Sequence, residues 1–561
     1  MLGASVLLGA CYEGHSVGAD GFGTDGPGPT ASGEGGSDDD GSGGGDSGGP
    51  LSACGDTPSP GSAPIRRLTP FELDNTLLDL LGDDTNPAAN LPEEGGSGFD
   101  NNAEVGAVSR LVAQKYMQMA EDVALRATAD LPGLLGCASP SDDACLRSFV
   151  ESFGRRAWRR PLEAGEVEDM LALYDDARSE SDASTAVGVL LQAFLQSPFF
   201  LYRVELAGVD ADDGAAVPLD GYEMATRLSY LMWGSMPDEA LFAAAEAGEL
   251  STAEQIEAQA RRMLEDPRAH RMALHFYEQW LLYRNLDVLA KDTDTFPAYT
   301  ADIPGLQRRE VEALITDVLW EGDGSLETLL TADYTFVNDA LAEFYGIEGS
   351  FGPGFERVAL PGQASGIVTA GGVMSVFAKP NETSPVARGL YVREHLLCQI
   401  PPPPPDDVDL VPPEPSDATT TRERYAQHSD DPACAGCHSL MDPIGFGLEN
   451  YDALGRWRSQ ENGTTIDASG FLAQAGLALE DEAFDGPVEL GQRLRVSPDV
   501  RSCVAQQWFR FAYGRTESEE LDACTLEQVH ARFEASGYNL RELLVDLTQT
   551  DAFRFRPTGA P

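Results

Sequence analysis

Apolar positions along most of this chain recur three and four residues apart, the spacing of one helix face. Val105, Val108, Leu111, Val112, Tyr116, Met119 and Val123 make one such stripe, and Leu274, Tyr277, Leu281 and Leu282 belong to another. Helix starts are legible between the stripes. Thr69-Pro70-Phe71-Glu72 offers an N-cap, a proline at the first helical position and the acidic third residue of a capping box, and Gly82 is a fitting stop. Asp220 with Glu223, Ser251 with Glu254, Thr525 with Gln528 and Asn539 with Glu542 repeat the start signal. Strand-like runs are few and short, such as Glu356–Leu360 and Thr464–Asp467, and no repeat of fixed period occurs. The expected fold is mainly α: a multidomain helical architecture with few short strands.

Two stretches break the helical pattern. From Tyr12 to about Ala63 the chain is rich in Gly, Ser, Asp and Pro, as in Ser37-Asp38-Asp39-Asp40, and cannot bury a core. Pro401–Pro405 is an unbroken proline run, followed by acidic and proline-rich residues to about Pro415, and should form an extended spacer. The expected organisation is a signal-peptide remnant at 1–10, a lipidated Gly/Ser/Asp-rich tether at 11–64, and an N-terminal helical domain at 65–135. A small helical domain at 136–182 and a central one at 183–350 follow. A domain at 355–475 contains the proline spacer, and a C-terminal helical domain occupies 484–556.

The anchor rests on the first residues. MLGASVLLGA is apolar and ends before Cys11, so that Leu8-Gly9-Ala10-Cys11 looks like a bacterial lipobox with Cys11 as the lipidated residue. The basic start of a signal peptide is missing, and a short buried segment is the competing reading. No later run approaches 18 apolar residues, so attachment to a membrane is expected through the lipid anchor only. At 561 residues and 42% hydrophobic composition the remainder can bury large cores. The formal net charge of −54, with only three lysines, argues against nucleic acid as a partner.

Nine cysteines fit an oxidising compartment. Apart from Cys11, Cys434 and Cys437, six remain, with 15 possible pairings. Proximity favours Cys137–Cys145 and Cys503–Cys524, which leaves Cys54 with Cys398.

The chemistry concentrates at Cys434-Ala435-Gly436-Cys437-His438, the C-x-x-C-H attachment pattern of c-type haem. Two thiols one helical turn apart add to the two vinyl groups of one porphyrin, and the adjacent histidine becomes the proximal iron ligand. Random placement of the same cysteines and histidines gives about 0.002 matches. Zinc and a plain disulfide are the alternatives, but structural zinc wants four ligands and no second half-site follows.

Several segments together resemble a large multidomain family first described from planctomycetes and common in myxobacteria. Its domains carry unknown-function names, and it includes a c-type haem motif. The resemblance is carried by residues 68–76, 98–102, 153–162, 197–203, 227–233, 383–389, 396–398, 434–452 and 503–515. Among these are Phe153-Gly154-Arg155-Arg156-Ala157-Trp158-Arg159-Arg160-Pro161-Leu162 and Asp442-Pro443-Ile444-Gly445-Phe446-Gly447-Leu448-Glu449-Asn450-Tyr451-Asp452. It implies a cell-envelope protein with haem and no particular substrate.

On this reading Cys434 and Cys437 are the thioether donors to haem c and His438 binds its iron. Met441, the last methionine, is too close to His438 to cross to the other face. A distal ligand is expected from Met374, His395, His428, His530, His275 or His270, or the position is open. Pro443, Gly445 and Gly447 suggest a tight turn after the motif. Phe446, Leu448, Tyr451 and Trp457 are candidates to wall the porphyrin or to be ordinary core. Arg456 and Arg458 are candidates for its propionates. Walker and H-E-x-x-H patterns are missing. Asp292-Thr293-Asp294 lacks the full calcium loop, and Arg155, Arg156, Arg159 and Arg160 are expected to pair with nearby acids. The expected function is electron transfer, or a haem-dependent oxidoreductase reaction, by a lipoprotein lipid-anchored to the outer membrane, periplasmic or surface-exposed, with a redox partner protein. The competing class is a non-enzymatic envelope binding or scaffold protein, with polysaccharide as candidate ligand and a structural or sensory haem or metal site.

Overall fold

The helix starts written in the sequence recur in the computed structural model, which describes residues 54–55, 57–92, 98–104, 108–137, 142–208, 214–401, 419–429 and 432–558. Thr69 and Glu72 close a reciprocal capping box on the helix Pro70–Leu81, and Gly82 ends it in the left-handed conformation with φ 71°. Asp220 and Glu223 do the same for Gly221–Trp233, and Asn539 caps Leu540–Leu547. Two starts differ from expectation. Thr252 and Gln255, rather than Ser251 and Glu254, form the box on Ala253–Leu264. The helix Ala523–Ala535 begins two residues before Thr525, which is buried, and Asp522 at its start is occupied by both terminal nitrogens of Arg515.

The stripe at 105–123 is also trimmed. Ser109 caps a helix Arg110–Ala127 that buries Val112, Tyr116, Met119 and Val123. Val108 precedes that helix and Leu111 points off its inner face, so both are exposed, and Val105 lies outside the described residues.

The molecule is mainly helical, as expected. The strands form five antiparallel pairs among the described residues. Tyr334–Val337 pairs with Glu356–Ala359 and Gln460–Glu461 with Thr464–Thr465, so both strand-like runs are strands in part. Two pairs join distant segments: Arg66–Arg67 with Tyr202–Arg203, and Ala216–Pro218 with Phe555–Pro557.

Two large cores hold the helices. One gathers residues between Leu68 and Met236, with Leu73, Val123, Val150, Leu190 and Phe194 fully inside. The other runs from Leu219 to Phe553 and includes Trp233, Phe276, Val392, Leu448 and Trp508. At its centre the Phe276 and Trp508 rings stack with centroids 3.6 Å apart.

The disulfides correct the expected pairing. Cys137–Cys145 is present, but Cys54 pairs with Cys524 and Cys398 with Cys503. Cys503 lies in the middle of the helix Pro498–Tyr513 and faces the segment ending at Cys398, while Cys524 opens the next helix and faces the N-terminal segment. Proximity in sequence therefore misled for two of three bonds. The end of the expected tether is also fixed in place. Besides the Cys54 disulfide, the Ser59 N–H donates to Asp551 and the Ser62 carbonyl accepts from Arg515. Cys11 and most of the expected tether, residues 1–53, lie outside the described residues, as do 402–418 of the expected proline spacer.

Candidate functional site

The C-x-x-C-H residues open the helix Pro432–Phe446. Its neighbours approach to backbone distance. A methyl group on Gly389, in the helix Pro385–Tyr391, would overlap the Met441 carbonyl oxygen. One on Gly445 would overlap the Pro385 carbonyl, and one on Gly470 that of Pro443. Glycine is required at each crossing because the backbones leave no room for Cβ. The expected turn comes later than Pro443 and Gly445 suggest: the chain continues as helix through Pro443 to Phe446 and turns from Gly447 to Asn450. Proline removes one intrahelical N–H donor, and nearby the buried Arg393 donates from Nε to the Leu440 carbonyl at 3.0 Å. Arg393 is brought there by the π-helical turn Val392–Leu396.

One turn earlier, the fully buried Arg388 ties down the exit from the helix. It donates to the carbonyls of Leu448, Tyr451 and Asp452 at 2.7–2.8 Å. Its charge faces Glu449, which also takes hydrogen bonds from Thr383 at 2.7 Å and Arg458 at 2.8 Å. Burial pushes the Arg388 pKa down to about 10, so the guanidinium keeps its proton at neutral pH.

Uninterrupted helix through Pro443 puts Asp442 one turn beyond His438 on the same face. Both Asp442 carboxylate oxygens lie 3.0 Å from Nδ1 of His438. Asp442 is 3% exposed and the imidazole is half-buried. This hydrogen bond raises the His438 pKa against the opposing effect of burial. Cys437 is half-buried on the same helix, and the side chain of Cys434 lies outside the described residues. The donor set suits a c-type haem: two thiols at attachment spacing and an imidazole whose Nδ1 is taken, which directs Nε2 to a metal. Among the described residues no group of three or more His, Cys, Asp and Glu side chains is placed to hold a metal ion.

Three distal candidates are engaged elsewhere. His275 lies between Asp100 and Glu278 and stacks on Phe71 with centroids 3.8 Å apart. His270 rests on Trp320, and His530 meets Ser502 at 3.3 Å. Met374 is fully buried in the larger core. His395 stands beside Tyr391, and burial lowers its pKa to about 4, so its ring is neutral. The side chain of His428 lies outside the described residues.

Leu448 and Tyr451 are members of the larger core, Trp457 packs against it, and Phe446 lies under Arg422. Arg456 and Arg458 already pair with Asp452 and Glu449, each at 2.8 Å. Arg155 and Arg160 pair with Glu239 and Glu166 as expected, whereas Arg156 and Arg159 donate to backbone carbonyls. The Asp292 carboxylate closes its own turn by accepting from the Asp294 N–H and the Thr295 hydroxyl.

Sequence reasoning gave no role to Asp442, although its i+4 spacing from His438 was visible. The turn expected at Pro443 would have carried it off the helix face. It also missed Glu310, which borders a cavity of about 370 Å³ with Tyr345, Gln363, Tyr451 and Trp457. The Glu310 carboxylate accepts from Thr335 and Tyr345, both at 2.6 Å, and burial raises its pKa. No local motif marks it, because its partners Thr335, Tyr345 and the Gly371 N–H come from separate segments.

Five family profiles match in succession along the chain, each described as a protein of unknown function: DUF1587 over residues 66–129, DUF1595 over 145–205, DUF1592 over 219–347, DUF1588 over 364–461 and DUF1585 over 480–553. The fourth contains Cys434, Cys437, His438 and Asp442, and the Glu310 cavity is lined from the third, the fourth and the residues between them. No curated protein and no solved structure matches.

Proposed function

We infer that this chain, which carries the five domains of the planctomycete-type multidomain family, is a cell-envelope protein that holds one haem c and works in electron transfer or a haem-dependent redox reaction. One observation carries the reading. Cys434, Cys437 and His438 share one helix at attachment spacing, and a buried carboxylate holds the imidazole. Cys434 and Cys437 bind the porphyrin through thioethers, and His438 presents Nε2 to the iron. The bound group supplies a one-electron change at iron. The crossing glycines 389 and 445 and the arginines 388 and 393 keep the ligand helix from shifting as charge changes.

The apolar start and Cys11 support a lipid anchor. No helix among the described residues is long and apolar enough to cross a membrane. A redox partner protein is part of the same reading. The test is a reduced pyridine haemochrome spectrum of protein made in a host that matures cytochrome c. A c-type spectrum that survives acid–acetone extraction is expected. No haem where a control cytochrome matures would overturn the reading.

The Glu310 cavity favours a second reading, binding of an envelope polysaccharide. Its volume suits a sugar unit, and its lining combines the aromatic Trp457 and Tyr451 with the polar Gln363 and Glu310. Calorimetric titration with cello- and chito-oligosaccharides tests it. Binding lost in Trp457→Ala and indifferent to haem reduction supports this reading, and no heat from the native protein removes it.

A further inference from the structure

The inference rests on the haem reading and adds what the second nitrogen of His438 does. Nδ1 meets both oxygens of Asp442 at 3.0 Å, with Asp442 almost wholly buried on the same helix. That segment of helix is clamped on both sides of Asp442. Met441 touches Gly389 through its backbone, the Leu440 carbonyl is held by Arg393, and Gly445 touches Pro385. The backbone that carries the carboxylate is therefore fixed on both sides of it.

A carboxylate differs from the backbone carbonyl that many ligating histidines use, because it brings a full negative charge to the acceptor. The Nδ1 proton is drawn toward it, the ring gains imidazolate character, and Nε2 becomes a stronger donor. A stronger donor stabilises ferric over ferrous iron. We propose that Asp442 is a positioning residue that fixes Nε2 as the ligating nitrogen and, through His438, holds the iron at a low reduction potential. The site then favours reactions in which ferric iron is the resting state over high-potential electron carriage.

The test compares the full-length native protein with Asp442→Asn, which keeps the shape and the hydrogen-bond acceptor but removes the charge. Potentiometric titration is expected to show an upward shift of the midpoint potential in Asp442→Asn and a midpoint near the native one in Asp442→Glu. Haem-loaded Asp442→Asn with an unchanged midpoint overturns the proposal and leaves the haem reading standing. A native protein without covalent haem overturns both. Should Asp442→Asn fail to fold, the native protein answers alone. In its diamagnetic ferrous carbon monoxide complex, the nitrogen-15 resonance of His438 Nδ1 is expected displaced from the neutral imidazole position toward imidazolate. A resonance at the neutral position overturns the proposal.

Discussion

Among the described histidines, His275 has the surroundings that most strongly favour a charge. Burial works against protonation, but Asp100 and Glu278 outweigh it and raise the pKa to about 9. Glu278 is itself held by Arg308 at 2.8 Å, and the flat stack on Phe71 adds a face on which a cation rests well. In the unfolded chain the ring loses its proton near pH 6.5, whereas in the folded protein it keeps it to about 9. The folded state thus binds the extra proton between those values. The stabilisation is whole below pH 6.5 and fades as pH rises to 9, by about 3 kcal/mol at most. Thermal melts of the native protein should show the melting temperature falling across this window. In His275→Gln the fall should be shallower, and equal slopes would show that the pair carries no stability. None of this was legible in the sequence, where Asp100 and His275 are 175 positions apart. Thr69 and Glu72 were legible because their partners are three residues away.

At the scale of the element, the helix that carries the C-x-x-C-H motif owes its position to glycines that carry no chemistry. Gly436 and Gly445 lie on the same helix and differ in surroundings. An added methyl meets nothing within 4 Å at Gly436 but overlaps the Pro385 carbonyl at Gly445. Gly445→Ala must push two helices apart and should cost about 1–3 kcal/mol. Gly436→Ala removes backbone freedom from a helix interior and should be neutral or stabilising by up to about 1 kcal/mol. Urea unfolding midpoints check both, and an equal change in the two variants would mean that close approach at Gly445 does not decide. Sequence pattern read Pro443, Gly445 and Gly447 as a turn because these residues usually mark one. Here the helices pack so closely that tertiary contact overrides local preference. The same limit governs the disulfides: pattern sees spacing along the chain, while Cys54 and Cys524 meet across 470 residues.

At the scale of the molecule, five matched segments share two large cores. The segment with the C-x-x-C-H motif shows what this means. Its buried residues Val373, Met374, Tyr391, Leu396, Ile444 and Leu448 lie in one cluster with Trp233 and Leu314 from the preceding match and Trp508 and Leu543 from the following one. Cys398 is bonded to Cys503 of the latter segment, and Gln307 of the former donates to the Leu454 carbonyl at 2.9 Å. The helical content was legible because periodicity is local, and the C-x-x-C-H motif was legible as a candidate because it spans five residues. The sharing of cores was not, because an apolar stripe does not name the stripe it meets. A fragment of residues 355–475 would expose these side chains to water at about 25 cal/mol per Å², lose one disulfide and break the Gln307 contact. Against a net stability of about 5–15 kcal/mol for a whole domain, those losses leave nothing to hold the fragment folded. Expressed alone, it should show no cooperative melt by circular dichroism and rapid cleavage by trypsin, while residues 54–561 melt cooperatively. A fragment that melts cooperatively and resists the protease would mean that the ligand segment is an autonomous cytochrome-like domain, and that the shared core is a docking surface between modules that fold separately.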